Sequence, residues 1–149
     1  MQIDGAPIND KRDALRELSV QQCVTAIRDS GAFMRADKLA NSLHVDANEL
    51  RNQLAIWKER GEIFTLEDAA AGELFPAFAV DNRDGLRVFD AIPRILQVFK
   101  GRLSPWGIAG WFVGVSSFLD DQLPKDLLAD EPDWVVEAAR DWFDECAHG

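Results

Sequence analysis

A chain of 149 residues that is 47% hydrophobic and 9% aromatic carries enough apolar surface to bury a core, which excludes a disordered polymer. No uncharged apolar run approaches the roughly 18 residues that span a bilayer, and Met1-Gln2-Ile3-Asp4-Gly5 has neither the basic flank nor the apolar stretch of a signal peptide, so a cytoplasmic protein with no membrane association is expected. The net charge of −10 is unevenly spread: residues 1–60 hold nine basic and nine acidic side chains, residues 61–149 seven and seventeen. Because nucleic-acid affinity rests on Lys and Arg at phosphates, the second part is a poor surface for DNA and a good one for a basic protein.

Gly5, Pro7 and Asn9 mark residues 1–10 as an extended arm, after which Asp10 caps a helix from about Lys11 to Asp29 that includes Leu15, Leu18, Val24 and Ile27. Ser30-Gly31 ends it, glycine supplying the left-handed residue that helix termini favour. A helix over Arg35–Leu43, the turn His44-Val45-Asp46 and a helix over Ala47–Arg60 then form a helix-turn-helix pattern. Leu39, Ala40 and Leu43 are expected to pack on Val45, Leu50, Leu54 and Trp57, with Asp46 as the second helix's cap. The outward side of that helix offers Asn48, Arg51, Asn52, Lys58 and Arg60 to DNA, although Glu49, Glu59 and Glu62 stand beside them and the same pattern also serves as plain packing.

Gly61 closes the helix, and Glu62–Leu66 and Leu74–Val80 read as two strands joined by Glu67–Glu73, a small β-hairpin wing in which Pro76 must sit at an edge or bulge. The turn cluster Asp81-Asn82-Arg83-Asp84-Gly85 is the seam between an N-terminal unit, 1–81, and a C-terminal unit, 82–149; no Pro- or Ser-rich linker lies there, so the two should pack together. Beyond it come helices from about Asp90 to Gly101, from Pro105 to about Val115 with Ser104 as cap, a short one from Pro124, and one from Pro132 to about Cys146. The expected fold is mainly α: a helix-turn-helix with a wing, packed on a four-helix C-terminal domain.

Chemistry-bearing constellations are scarce. Cys23, Cys146, His44 and His148 have no disulfide, zinc or dyad spacing, and Ser116-Ser117 lack a base. Gly101, Gly107, Gly110 and Gly114 lie among Trp106, Ile108, Trp111 and Phe112 without the Lys-Ser/Thr of a phosphate loop, and suit close helix packing. Asp120, Asp121, Asp126, Asp130, Glu131 and Asp133 do not alternate as calcium ligands do. No catalytic residue, metal or cofactor is therefore expected. Trp106, Trp111, Trp134 and Trp142 dominate the C-terminal unit; most belong in a core, while Trp134, Ala138 and Trp142, at i, i+4 and i+8 among Asp141, Asp144 and Glu145, also suit an aromatic anchor with an acidic rim.

Three stretches resemble a known family: Leu103-Ser104-Pro105-Trp106-Gly107-Ile108-Ala109-Gly110-Trp111-Phe112, then Ser117 to Leu128 with Pro124-Lys125-Asp126-Leu127-Leu128, then Val135-Val136-Glu137-Ala138-Ala139. They are similar to the toxin-binding C-terminal domain of the MbcA/ParS/Xre antitoxins, and Leu74-Phe75-Pro76-Ala77-Phe78 resembles the element that links that family's two halves. The resemblance implies a helical homodimer that represses its own operon by binding operator DNA and inhibits a RES-domain toxin, an NAD-consuming enzyme, by covering its active-site entrance. Carried onto this chain, Trp106, Trp111, Leu119, Pro124 and Leu128 would build the toxin-binding domain, with Trp134 and Trp142 as further anchors, and Asn48, Arg51 and Asn52 would face DNA. Where the family commonly has glycine this chain has His44 and Asp120-Asp121, so side chains are expected at positive φ. The competing reading is a stand-alone transcription regulator whose C-terminal unit dimerises or senses a ligand.

Overall fold

The computed structural model describes residues 23–148; the expected arm and most of the first helix, with Leu15 and Leu18, lie outside them. Residues 23–29 are helical (α1) and end at Ser30 and Gly31, the latter at φ +70° as helix termination requires. There follow β1 (Phe33–Met34), α2 (Ala36–Leu43), α3 (Ala47–Glu59), β2 (Leu66–Asp68), β3 (Gly72–Pro76), β4 (Val80–Asp81), β5 (Arg87–Val88), α4 (Ala91–Phe99), α5 (Pro105–Val113) and α6 (Pro132–His148). The protein is mainly helical, with short antiparallel sheets whose strands lie between α3 and α4, except β1, which precedes α2.

Between α2 and α3 the chain turns through His44 at φ 59°, where the His44 N–H reaches the Asn41 carbonyl at 3.3 Å and the Val45 N–H reaches that of Ala40 at 3.0 Å. An imidazole thus occupies a left-handed position that glycine fills without strain. The Asp46 carboxylate accepts from the Glu49 N–H at 3.0 Å, satisfying one of the orphan donors of α3. Leu39 and Ala40 of α2 and Leu50, Leu54 and Trp57 of α3 are buried in one cluster, against which Leu43 and Val45 pack half-buried.

The sheet differs from the expected hairpin. Ile63 and Phe64 are consecutive and both buried, which breaks the period-2 alternation of a strand, and ladder pairing starts only at Leu66. The loop shrinks to three residues because the Asp68 carboxylate accepts from the Ala70 and Ala71 N–H groups at 2.8 and 3.3 Å. Strand β3 ends at Pro76, and Ala77–Ala79 forms a single 3₁₀ turn. Phe33 and Met34 add a third strand, giving the order β1-β3-β2; Pro76 ends the central strand opposite Phe33 and beyond the reach of β2, which pairs only Gly72 to Leu74.

The turn cluster at 81–85 lies inside a hairpin, β4 pairing antiparallel with β5. Buried Asp81 locks it, accepting from the Arg83 N–H and Nε and, through its other oxygen, from Arg83 Nη2 and Arg87 Nε, at 2.9 to 3.2 Å. These bonds, those of Arg83 foremost, hold the Asp81 carboxyl well below the usual carboxylate range against the opposing effect of burial.

The C-terminal part has three α-helices rather than four. Only Pro124–Asp126 coils, as one 3₁₀ turn, because Leu127 leaves helical geometry at φ −107° and Pro132 already opens the next helix. A second such turn, Ser117–Leu119, packs against α6, and α4 lies along α6, pinned at one end by Arg94 to Asp133 at 2.7 Å. One buried cluster runs from Ile27 to Ala139. Its hinge-pin is Phe112 of α5, stacked on Phe64 at 5.9 Å and tilted against Phe78 at 5.0 Å, while Phe33 meets both Phe64 and Phe78 edge-on. Residues on either side of the 81/82 seam therefore share this core.

Candidate functional site

Helix α5 is apolar almost throughout, Pro105-Trp106-Gly107-Ile108-Ala109-Gly110-Trp111-Phe112-Val113, and must bury surface on more than one side. Ser104 starts it by accepting from the Gly107 N–H at 3.2 Å. Ile108, Ala109 and Phe112 turn into the core, whereas Trp106, Gly107, Gly110 and Trp111 form one wall of an open groove of about 570 Å³. Helix α1 passes near α5 at Gly110, where a Cβ would make ordinary van der Waals contact with Ile27 Cδ1 at 3.8 Å.

Val24 and Ile27 of α1 supply a second wall of the groove, Ala138, Asp141 and Trp142 of α6 a third, and the segment from Gly114 to Phe118 its lip. Trp111 and Trp142 are both set edge-on to Phe99 of α4, at 5.2 and 5.5 Å, so the buried phenylalanine fixes the two indoles. The lip is shaped by Asp120 and Asp121, side chains expected at positive φ. Asp120 and Asp121 both take left-handed backbone, φ 56° and 62°, reversing the chain so that the Asp121 N–H reaches the Ser116 carbonyl at 2.8 Å and the Ser116 N–H that of Gln122 at 3.0 Å. Leu119 plugs the inside of this loop, and Val115 and Phe118 are left outside with 72% and 38% of their surface exposed.

Asp141 is the one charged residue among those lining the groove, and it enters no ion pair among the described residues. At the rim the Arg28 guanidinium lies 6.0 Å from the Trp106 ring centre and donates to Asp68 at 2.9 Å. The Asp68 carboxyl is held below its ordinary value by the Ala70 N–H first, then by Ala71 and Arg28.

Of the seven partner-contact candidates, the groove brings together Trp106, Trp111 and Trp142. Leu119, Pro124 and Leu128 are buried and support the loop and α5 from inside, which leaves no side-chain surface of theirs for a partner. Trp134 is half-buried two turns before Trp142 on α6, outside the groove lining. Sequence reasoning did not single out Val24, Ile27 or Val115 for this site. Val115-x-x-Phe118 carries no periodic signal because it follows the end of α5 at Gly114.

On α3, Asn48, Arg51 and Asn52 are exposed at i, i+3 and i+4 and so share a face, Arg51 donating to Asn48 Oδ1 at 3.2 Å. Lys58 is instead ion-paired with Glu73 of β3, whose hydrogen bond raises its pKa, and Arg60 lies past the helix end, 3.9 Å from Glu62. A cleft beside this face sets Arg35, Arg51 and Lys58 against Asp37, Glu59 and Glu73, three cations with three carboxylates. Among the described residues, no three His, Cys, Asp or Glu side chains cluster closely enough to hold a metal ion, and no helix is long and apolar enough to cross a membrane. No protein-family model, curated protein or solved structure matches this chain.

Proposed function

We propose that this protein is an antitoxin of the MbcA/ParS/Xre kind, whose acidic C-terminal helices bind and occlude a RES-type NAD-consuming toxin. The observation that carries the reading is the groove: three tryptophans and one carboxylate line it, in the part of the chain that holds the whole net negative charge. Fixed aromatic anchors with a charged rim are the composition of a binding hot spot. The motif Pro124-Lys125-Asp126-Leu127-Leu128, by which the chain resembles the family, supports α5 from beneath through buried Pro124 and Leu128. On this reading the protein is a cytoplasmic homodimer with no catalytic role, and cofactor chemistry belongs to the toxin.

The test is co-purification of the tagged chain from its native cells, followed by an NAD-consumption assay on what elutes. Recovery of a RES-domain protein whose NAD consumption the chain suppresses is the expected result. Recovery of the bait alone, at abundant dose, removes the toxin from the proposal.

A second reading, a transcription regulator without a toxin, draws on the α2-turn-α3 pair acting as a helix-turn-helix with Asn48, Arg51 and Asn52 exposed on one face. Autorepression by an antitoxin would use the same face. The ion pairs at Lys58 and Arg60 leave Arg51 as the principal cation there. Arg51→Glu should abolish operator binding in a gel-shift assay while toxin capture persists; unchanged operator affinity would remove DNA from the proposal.

A further inference from the structure

Residues on the lip point to the kind of molecule the groove takes. A small ligand could fill the cavity, yet Val115, 72% exposed, and Phe118 line its mouth, so the apolar lining runs outward to solvent at the lip. Apolar surface continuing outward from a groove calls for an occupant longer than the cavity. Among the described residues the only charged one lining the groove is Asp141, and Glu137 and Asp144 are exposed on the same helix, with Glu137 already paired to Arg140. Arg28, the rim's cation, is engaged by Asp68. A second copy docking here through its own acidic C-terminal part would set like charge against Asp141, which repulsion opposes at this face and not at others.

We infer that the groove seats a positively charged amphipathic helix of a partner protein. Its apolar side chains enter against Trp106, Trp111 and Trp142, its flank covers Val115 and Phe118, and a Lys or Arg reaches Asp141. An i, i+4, i+7 apolar stripe with basic residues beside it presents these groups together, as helices that lie in grooves do. The inference rests on the reading of the C-terminal part as a partner-binding surface and adds the chemistry of the partner's binding element.

The probes are a synthetic helical peptide with Leu at i, i+4 and i+7 and Arg on the flanks, and its twin with Glu in place of Arg. Binding to the full chain is followed by tryptophan fluorescence and calorimetry. The Arg peptide should bind, the Glu twin should not, and Asp141→Lys should weaken the complex by about tenfold or more. Asp144→Lys makes the same change in net charge outside the lining and should weaken it by less than about twofold. The double variant Val115→Ser and Phe118→Ser alters only exposed side chains, keeps the fold and should also weaken binding. Equal losses in the Asp141 and Asp144 variants, or a Glu twin as tight as the Arg peptide, would overturn the inference. So would a dimer in sedimentation that the double variant dissociates, which would assign the groove to a second copy, or peptide-independent amide protection of the groove in the monomer, which would assign it to residues 1–22.

Capture of a RES-domain toxin with equal affinity by the wild-type chain and the Asp141→Lys variant would sink the groove proposal and leave the antitoxin reading standing. Failure to capture any toxin, with the Arg peptide still selecting Asp141, would do the reverse.

Discussion

Two surfaces of this molecule carry the candidate functional residues, and they are built in opposite ways. The outer face of α3 is polar and largely self-satisfied: Lys58 pairs with Glu73, Arg60 with Glu62, and Arg51 bonds to Asn48. The groove between α1, α5 and α6 is apolar and unsatisfied, with exposed Val115 and Phe118 at its lip and one carboxylate inside. A surface whose charges already have partners gains little from a new one, whereas apolar area still facing water gains roughly 25 cal/mol for each Å² that a partner covers. The contrast teaches that net charge marks where a partner can approach and unsatisfied apolar area where it can hold.

The largest blow to this comparison should come from removing what the surfaces share. Phe112→Ala deletes the ring between Phe64 and Phe78 and should cost about 3–5 kcal/mol, melting both regions in one transition seen by circular dichroism. If α2 and α3 stay folded while the tryptophan signal is lost, the core is not shared. Acid separates the parts more gently. Asp81 has a folded-state pKa below its unfolded value, so its contribution is fully present above about pH 4 and is lost as pH falls into and below the carboxylate range. The melting temperature of Asp81→Asn should therefore be lower than wild type at pH 7, and the gap should narrow steadily as the pH falls below about 4.

Helix caps give a finer, paired test. Asp46→Ala at α3 and Ser104→Ala at α5 each remove one side-chain acceptor and should each cost about 1 kcal/mol in chemical denaturation. The smallest effect has the opposite sign. His44→Gly relieves a left-handed side chain and should stabilise by less than about 1 kcal/mol, the added freedom of glycine in the unfolded chain offsetting part of the gain.

What could be read from the sequence follows from how local each cause is. Asp46, Ser104 and Gly31 announce helix ends because a cap acts within three or four residues of itself, and the α2 and α3 boundaries fall within a residue of expectation. His44 and Asp120-Asp121 were expected at positive φ only through the family resemblance, which has glycine there, and no local pattern in this chain marks them. The two-residue strands β1, β4 and β5 have no signal of their own, since each exists only opposite a partner far along the chain or across a turn. Ile63-Phe64 misled because consecutive apolar residues look like a strand until one sees that the core surrounds both. Trp106, Trp111 and Trp142 could be picked out by residue type, but their convergence depends on α1 and α6 meeting α5, which no local pattern encodes.

The placement of Phe112 reaches beyond stability. Its helix forms a wall of the groove on one side while its ring is clasped on the other by Phe64 and Phe78, which flank the β2-β3 pair, so groove and sheet rest on one packed ring. Any molecule that binds the folded groove therefore lowers the population of open chains throughout the molecule, by mass action alone. The survival of the whole chain among cellular proteases, including the α2-α3 surface some distance away, would then rise with the amount of occupant present, making the protein's own abundance a gauge of its partner's.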